Sequence, residues 1–230
     1  MNKKLLFRYV FEVVVIVFSV TLSFYIQELL NDREKNLLKN EGLNGVLKDL
    51  AVDKSQFKIA SDVIYNRIRL IEDVLDGEIT NENISSLMTY WGFLGQDSNY
   101  KSLISTGAIE YIKSDSLASR LSNYYEIQYT SLLGESKSYN KLYLDLMSFM
   151  KANYTVNSMD KVERGMKSSG FLSFNYSNDE LKKMKKDSQL RNYFFELKRI
   201  IYLYARMFEG AMITTDRLSE YIKIELDKTS

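Results

Sequence analysis

Three features of the sequence predict an all-α protein: an N-terminal transmembrane helix followed by an elongated helical bundle of three long helices plus short ones. An uncharged apolar run lies near the N-terminus, and apolar residues beyond it recur at three- and four-residue steps. There is also no proline among the 230 residues. Proline ends or kinks helices and punctuates loops, so a chain without it suits long uninterrupted helices.

The apolar run, Leu5 to Leu30, carries no charge from Val13 to Ile26. Its length suffices to cross roughly 30 Å of hydrocarbon. A signal peptide would need a small-x-small cleavage site, but the run leaves into Gln27, Glu28 and Leu29. A buried helix of a soluble protein is the other competitor, and density weighs against it: nearly every position all round this helix is Val, Ile, Phe or Leu. Residues 1–31 therefore read as an uncleaved anchor and 32–230 as a helical bundle domain. Lys3, Lys4 and Arg8 precede the span, and Arg33, Lys35 and Lys39 follow it, so positive flanking charge does not choose a side.

After the span, Leu43, Leu47, Leu50, Phe57, Ile64, Ile68, Ile71 and Leu75 mark one helix face that reads as a continuation of the membrane helix. Gly42 and Gly45 are its expected bend points and Gly77 its end, with Thr80 and Asn81 opening a short element. Residues 82–112 read as shorter pieces. A second long helix is expected from Ser114 or Asp115 to about Tyr154, on the stripe Leu117, Leu121, Tyr124, Leu132, Tyr139, Leu142, Leu146 and Phe149. Residues 155–176, rich in Ser, Gly and Asn, read as a loop or flap, with no strand pattern. Ser177 and Glu180 form a capping-box signature ahead of a third long helix carrying Leu190, Phe194, Leu197, Ile201, Tyr204, Phe208, Leu218 and Ile222.

Composition excludes several chemistries. The formal net charge is +1, so the chain as a whole is not a polycation built for nucleic acid. Without histidine or cysteine there is no Ser-His-Asp or Cys-His arrangement, no disulfide and no ordinary zinc site. No spaced carboxylate pattern argues for a metal. No enzyme activity, catalytic residue, metal or cofactor is expected.

Two residue groups could carry function instead. At about 100° per residue, Arg8, Glu12, Ile16, Ser19, Ser23 and Gln27 share roughly a 100° arc of the span. Polar groups are costly in lipid and normally face a partner helix or water. A single-pass chain obtains that partner by self-association. The stripe then serves either a packed interface, with Ser19 and Ser23 as a small-xxx-small pair, or a pore of four or more copies. In the pore, Glu12 would form a charged ring and Ile16 a constriction. The second group is Lys182, Lys183, Lys185, Lys186 and Arg191 with Tyr193, a basic and aromatic stretch suited to phosphate, single-stranded nucleic acid or anionic lipid. The plainer reading is a solvated helix start. The numerous tyrosines fall mostly at core spacing and read as packing.

The span FEVVVIVFSVTLSFYIQELLNDRE, with Glu12 opening the run and Leu22, Gln27 and Asn31 near its exit, resembles an uncharacterised bacterial family of single-pass helical membrane proteins. YKSLISTGAIEYI (Tyr100, Leu103, Gly107) and LSNYY (Leu121 to Tyr125) extend the likeness, while Val and Phe stand where small glycines are expected in the span. In layout the chain is also similar to small pore-forming membrane effectors of bacterial antiphage systems. The family resemblance brings no established chemistry. The likeness to effectors implies a membrane region that oligomerises and a helical domain that senses a nucleotide or oligonucleotide signal. With it comes the expectation of a homo-oligomer in the bacterial inner membrane with its soluble domain in the cytoplasm. The alternative expectation is a membrane-tethered scaffold without conductance.

Overall fold

A computed structural model describes residues 3–88, 93, 95–162 and 171–228, with side chains left out at 3–10, 160–162, 171 and 172. The fold is all-α. Its first helix, α1, runs unbroken over Lys3–Leu75, 73 residues or about 110 Å. It crosses both Gly42 and Gly45 as helix. Their use is close approach: a Cβ on Gly42 would collide with Leu103, and one on Gly45 with Asn99.

The end of α1 is a Schellman motif. Gly77, at φ 100°, turns the chain while its N–H donates to Val74 O and that of Glu78 donates to Asp73 O. Arg191 donates to the remaining Leu75 carbonyl at 2.6 Å. Thr80 then caps α2 (Asn81–Leu87) by accepting from Asn83 N. The short α3 (Ser98–Ser105) and a 3₁₀ turn (Ala108–Tyr111) fill the middle segment; Thr89–Gly92 and Leu94 of that segment lie outside the described residues.

The second long helix begins where expected, at Ser114, whose hydroxyl accepts from Leu117 N. It is composite: α4 (Asp115–Ser122), a π-helical stretch (Asn123–Tyr129) and α5 (Thr130–Asn153). The wider π turn brings residues five apart onto one side, so Tyr124 and Tyr129 are buried together with Tyr125.

Two expectations need correction. Residues 155–176 are not only loop: β1 (Val156–Val162) and β2 (Phe171–Tyr176) pair antiparallel, with Met159 opposite Phe174. Side chains of α2 hold the hairpin. Ser85 Oγ accepts from Phe174 N at 2.8 Å, and Asn81 Oδ1 accepts from Tyr176 N at 2.9 Å. One helix turn thus occupies the strand edge a third strand would take. The third long helix is also divided. Ser177 caps only α6 (Asn178–Lys186); Asp187 leaves helical geometry and caps α7 (Ser188–Asp227), accepting from Gln189 N and Leu190 N.

α7 lies antiparallel along α1. Lys198 pairs with Glu72 at 2.7 Å, and Lys54 pairs with Asp216 at 2.5 Å. Between the two helices and α5 lies the core, including Phe57, Leu132, Leu146, Phe194, Ile201 and Phe208. Phe57 meets the rings of Phe93 at 5.1 Å and Phe208 at 5.4 Å. Each such fully buried apolar side chain contributes about 1.5–3 kcal/mol.

Candidate functional site: the apolar span and its collar

From Phe11 to Lys35 every side chain of α1 is exposed. The same helix becomes core only from Lys39 and Leu43 onward. The exposed part is long and apolar enough to cross a membrane, and none of it is buried inside the fold. A core helix of a soluble domain would be covered, so that alternative has no support in the packing.

Within this segment, Ser19 donates to Val15 O, Thr21 to Val17 O and Ser23 to Ser19 O, each at 2.8 Å. These hydroxyls are satisfied by the helix itself, which leaves Ser19 and Ser23 as small, hydrogen-bonded steps on the face shared with Glu12, Ile16 and Gln27. The Arg8 side chain lies outside the described residues.

Where the exposed segment enters the bundle, a polar collar surrounds α1. Lys39, fully buried, places its ammonium 3.7 Å from the buried Glu225 carboxylate of α7. Glu225 also accepts from Lys113 N at 2.9 Å, which ties in the loop after the 3₁₀ turn. One turn nearer the span, Lys35 lies over the Tyr111 ring at 5.5 Å. Sequence reading counted Lys39 only as flanking charge and did not single out Glu225. An acid buried near the end of an amphipathic helix, on its apolar side, was the available signal.

A second polar cluster joins α1 to α3 and the π stretch. Asp49 accepts from both the backbone N–H and the side chain of Asn99, at 3.0 and 2.8 Å. It thereby caps α3 from outside, since the N-cap residue Asp97 makes no side-chain cap bond. Asp53, fully buried, accepts from Gln96 N at 3.0 Å and from the Tyr124 hydroxyl at 3.3 Å. Burial pushes its carboxyl up to about 6, against the pull of those two hydrogen bonds, with Asp49 and Asp97 adding to the rise. Tyr100 stacks on Tyr125 at 4.3 Å and donates to Glu126 at 2.8 Å; burial and that carboxylate push its hydroxyl up to about 12.

The four lysines of the basic stretch are exposed, and several of its residues make local contacts. Lys182 pairs with Asp179 at 3.1 Å. Lys183 donates to Asn153 O at 2.5 Å and lies over the Tyr154 ring. Lys185 lies over Gly77, Arg191 closes α1, and Tyr193 packs on Phe149 at 5.1 Å. Lys186 stands exposed on α6. The six residues do not converge on one pocket. Nearby, a cavity of about 330 Å³ lies between α5 and the hairpin, lined by Met88, Met147, Met150, Met159 and Phe174.

No family model, curated protein or solved structure matches the chain.

Proposed function

We propose that this chain is a single-pass protein of the bacterial inner membrane whose spans self-associate through the Glu12–Gln27 face, with the helical domain controlling how they are arranged. The observation that carries this reading is the continuity of α1: one helix is both the uncovered apolar segment and a central member of the core. A change in how α7 or the 111–113 loop packs at the collar is transmitted to the span by a rigid element, without a hinge. A ligand biases the span only by binding one such arrangement better than another. In the fuller form of this reading the oligomer, of four or more copies, conducts ions and acts as an antiphage-type effector, its bundle in the cytoplasm where a nucleotide or oligonucleotide would reach Lys182, Lys185 and Lys186.

Single-channel recording of purified full-length protein tests conductance. Wild type is expected to open under at least one nucleotide, with Glu12→Gln altering conductance or cation selectivity. Silence from both variants under every nucleotide tried removes the channel. The second reading, a tethered scaffold without conductance, is favoured by the hydroxyls of Ser19 and Ser23, which need no pore water because the helix already satisfies them. It predicts close helix packing and a stoichiometric partner protein.

A further inference from the structure

Along the outer side of α7, four large apolar side chains are about half exposed, Phe195 with the Arg191 guanidinium over its ring at 5.3 Å. Phe195, Tyr202, Ile213 and Ile224 are 49, 54, 54 and 50% exposed. At about 100° per residue they fall within roughly a 40° arc, and their stripe is about 44 Å long. The core does not use them: α7 buries Phe194, Leu197, Ile201, Phe208 and Leu218 on its other side.

The residues between them narrow the class of partner. Arg199 bonds Glu196 and Arg206 bonds Glu209, each at 2.9 Å along the same helix. The stripe is therefore flanked by two charge pairs and, between Ile213 and Ile224, by Arg217 and Glu220, one exposed charge of each sign, with arginine stems adding apolar cover. A polyanion or an anionic lipid surface would want unopposed positive charge here. A surface of the same mixed character is the better match, and another copy of α7 is such a surface.

Direction points the same way. Antiparallel pairing with α1 puts Ile224 at the collar, beside Lys39 and Glu225, and Phe195 at the far end, beyond Lys198 and Glu72. We infer that the Phe195–Tyr202–Ile213–Ile224 face of α7 is a second self-association surface, on which another copy of this chain lies parallel. This rests on the reading that α1 crosses a bilayer. Copies inserted in the same sense carry α7 in the same sense, and a two-fold axis along the membrane normal brings like residues together. With side chains of about 150–250 Å² each, half exposed, the stripe offers on the order of 400 Å² per copy. That is about half of what a stable soluble pair buries per partner. Tethering in one membrane supplies the rest by raising effective concentration.

The absence of native cysteine permits a clean test. Full-length Tyr202→Cys, Ile213→Cys, Leu144→Cys and Ser19→Cys variants are reconstituted in vesicles and mildly oxidised. Leu144 is an exposed apolar residue of α5 and serves as the control. Disulfide-linked dimers are expected about ten-fold faster at 202 and 213 than at 144, as tethered neighbours require. Cross-linking at Ser19 with none above control at 202 and 213 overturns this surface and leaves span association standing. Cross-linking at 213 but not 19 supports the surface and removes the span interface. A 213 thiol shielded from a soluble maleimide yet forming no disulfide means a different occupant, and likewise overturns the proposal.

Discussion

Asp53 shows how one buried side chain organises its surroundings and what that costs. Its carboxylate holds Gln96 N and the Tyr124 hydroxyl, which joins α1, the segment before α3 and the π stretch. Because burial raises its folded-state value to about 6, the folded protein binds this proton more tightly than the unfolded chain does. The sign follows: this group makes folding less favourable as pH rises from about 4 to 6, by on the order of 3 kcal/mol, and the cost stays above that window. Urea midpoints measured across that range should fall with pH in wild type, and Asp53→Asn should flatten this component. If the two proteins share one pH profile, the buried acid is not what the geometry implies. Arg67 is the converse case, a buried cation held by Tyr139 OH at 2.6 Å and Leu87 O at 2.9 Å. Arg67→Met strands those acceptors and is expected to lose about 2–4 kcal/mol in chemical denaturation.

Among the elements, the α1–α7 pair sets the architecture, and its collar is the most exacting contact. Lys39→Met leaves the Glu225 carboxylate buried without its cation, a loss of about 3–5 kcal/mol, whereas adding Glu225→Leu should restore most of it. Thermal unfolding of the two single variants and the double variant gives the coupling; additive losses would mean the pair does not interact as its geometry indicates. Gly42→Ala, which meets Leu103, should cost about 1–3 kcal/mol by overpacking. These elements differ in how legible they are in sequence. The stripes of α1 and α7 are strong because Leu50, Phe57, Ile64 and Ile71, or Leu190, Phe194, Leu197 and Ile201, repeat over many turns. The hairpin is weak: Leu172, Phe174 and Tyr176 alternate with Ser173 and Asn175, but a six-residue strand beside Ser- and Gly-rich sequence gives few repeats to count. The break at Asp187 was readable too, as a second cap residue, yet the nearer signature at Ser177 drew the helix start to itself. Of the candidate sites, the span was visible because hydrophobic density needs no tertiary information. The local partners of the basic stretch were not legible, because which lysine meets which carboxylate or carbonyl depends on the fold.

Across the whole molecule, a helix of about 110 Å places an uncovered apolar segment at one end and a packed bundle at the other. That segment is long and apolar enough to cross a membrane, which is the premise of the proposed function. Self-association through the Glu12–Gln27 face is the claim on which gating and conductance depend. Native mass spectrometry of the full-length protein in nanodiscs tests it most directly. Oligomers are predicted, with four or more copies for the pore form and a shift toward smaller species when Ser19 and Ser23 are both changed to leucine. A wild-type protein that stays monomeric in the bilayer at every protein-to-lipid ratio would contradict the account.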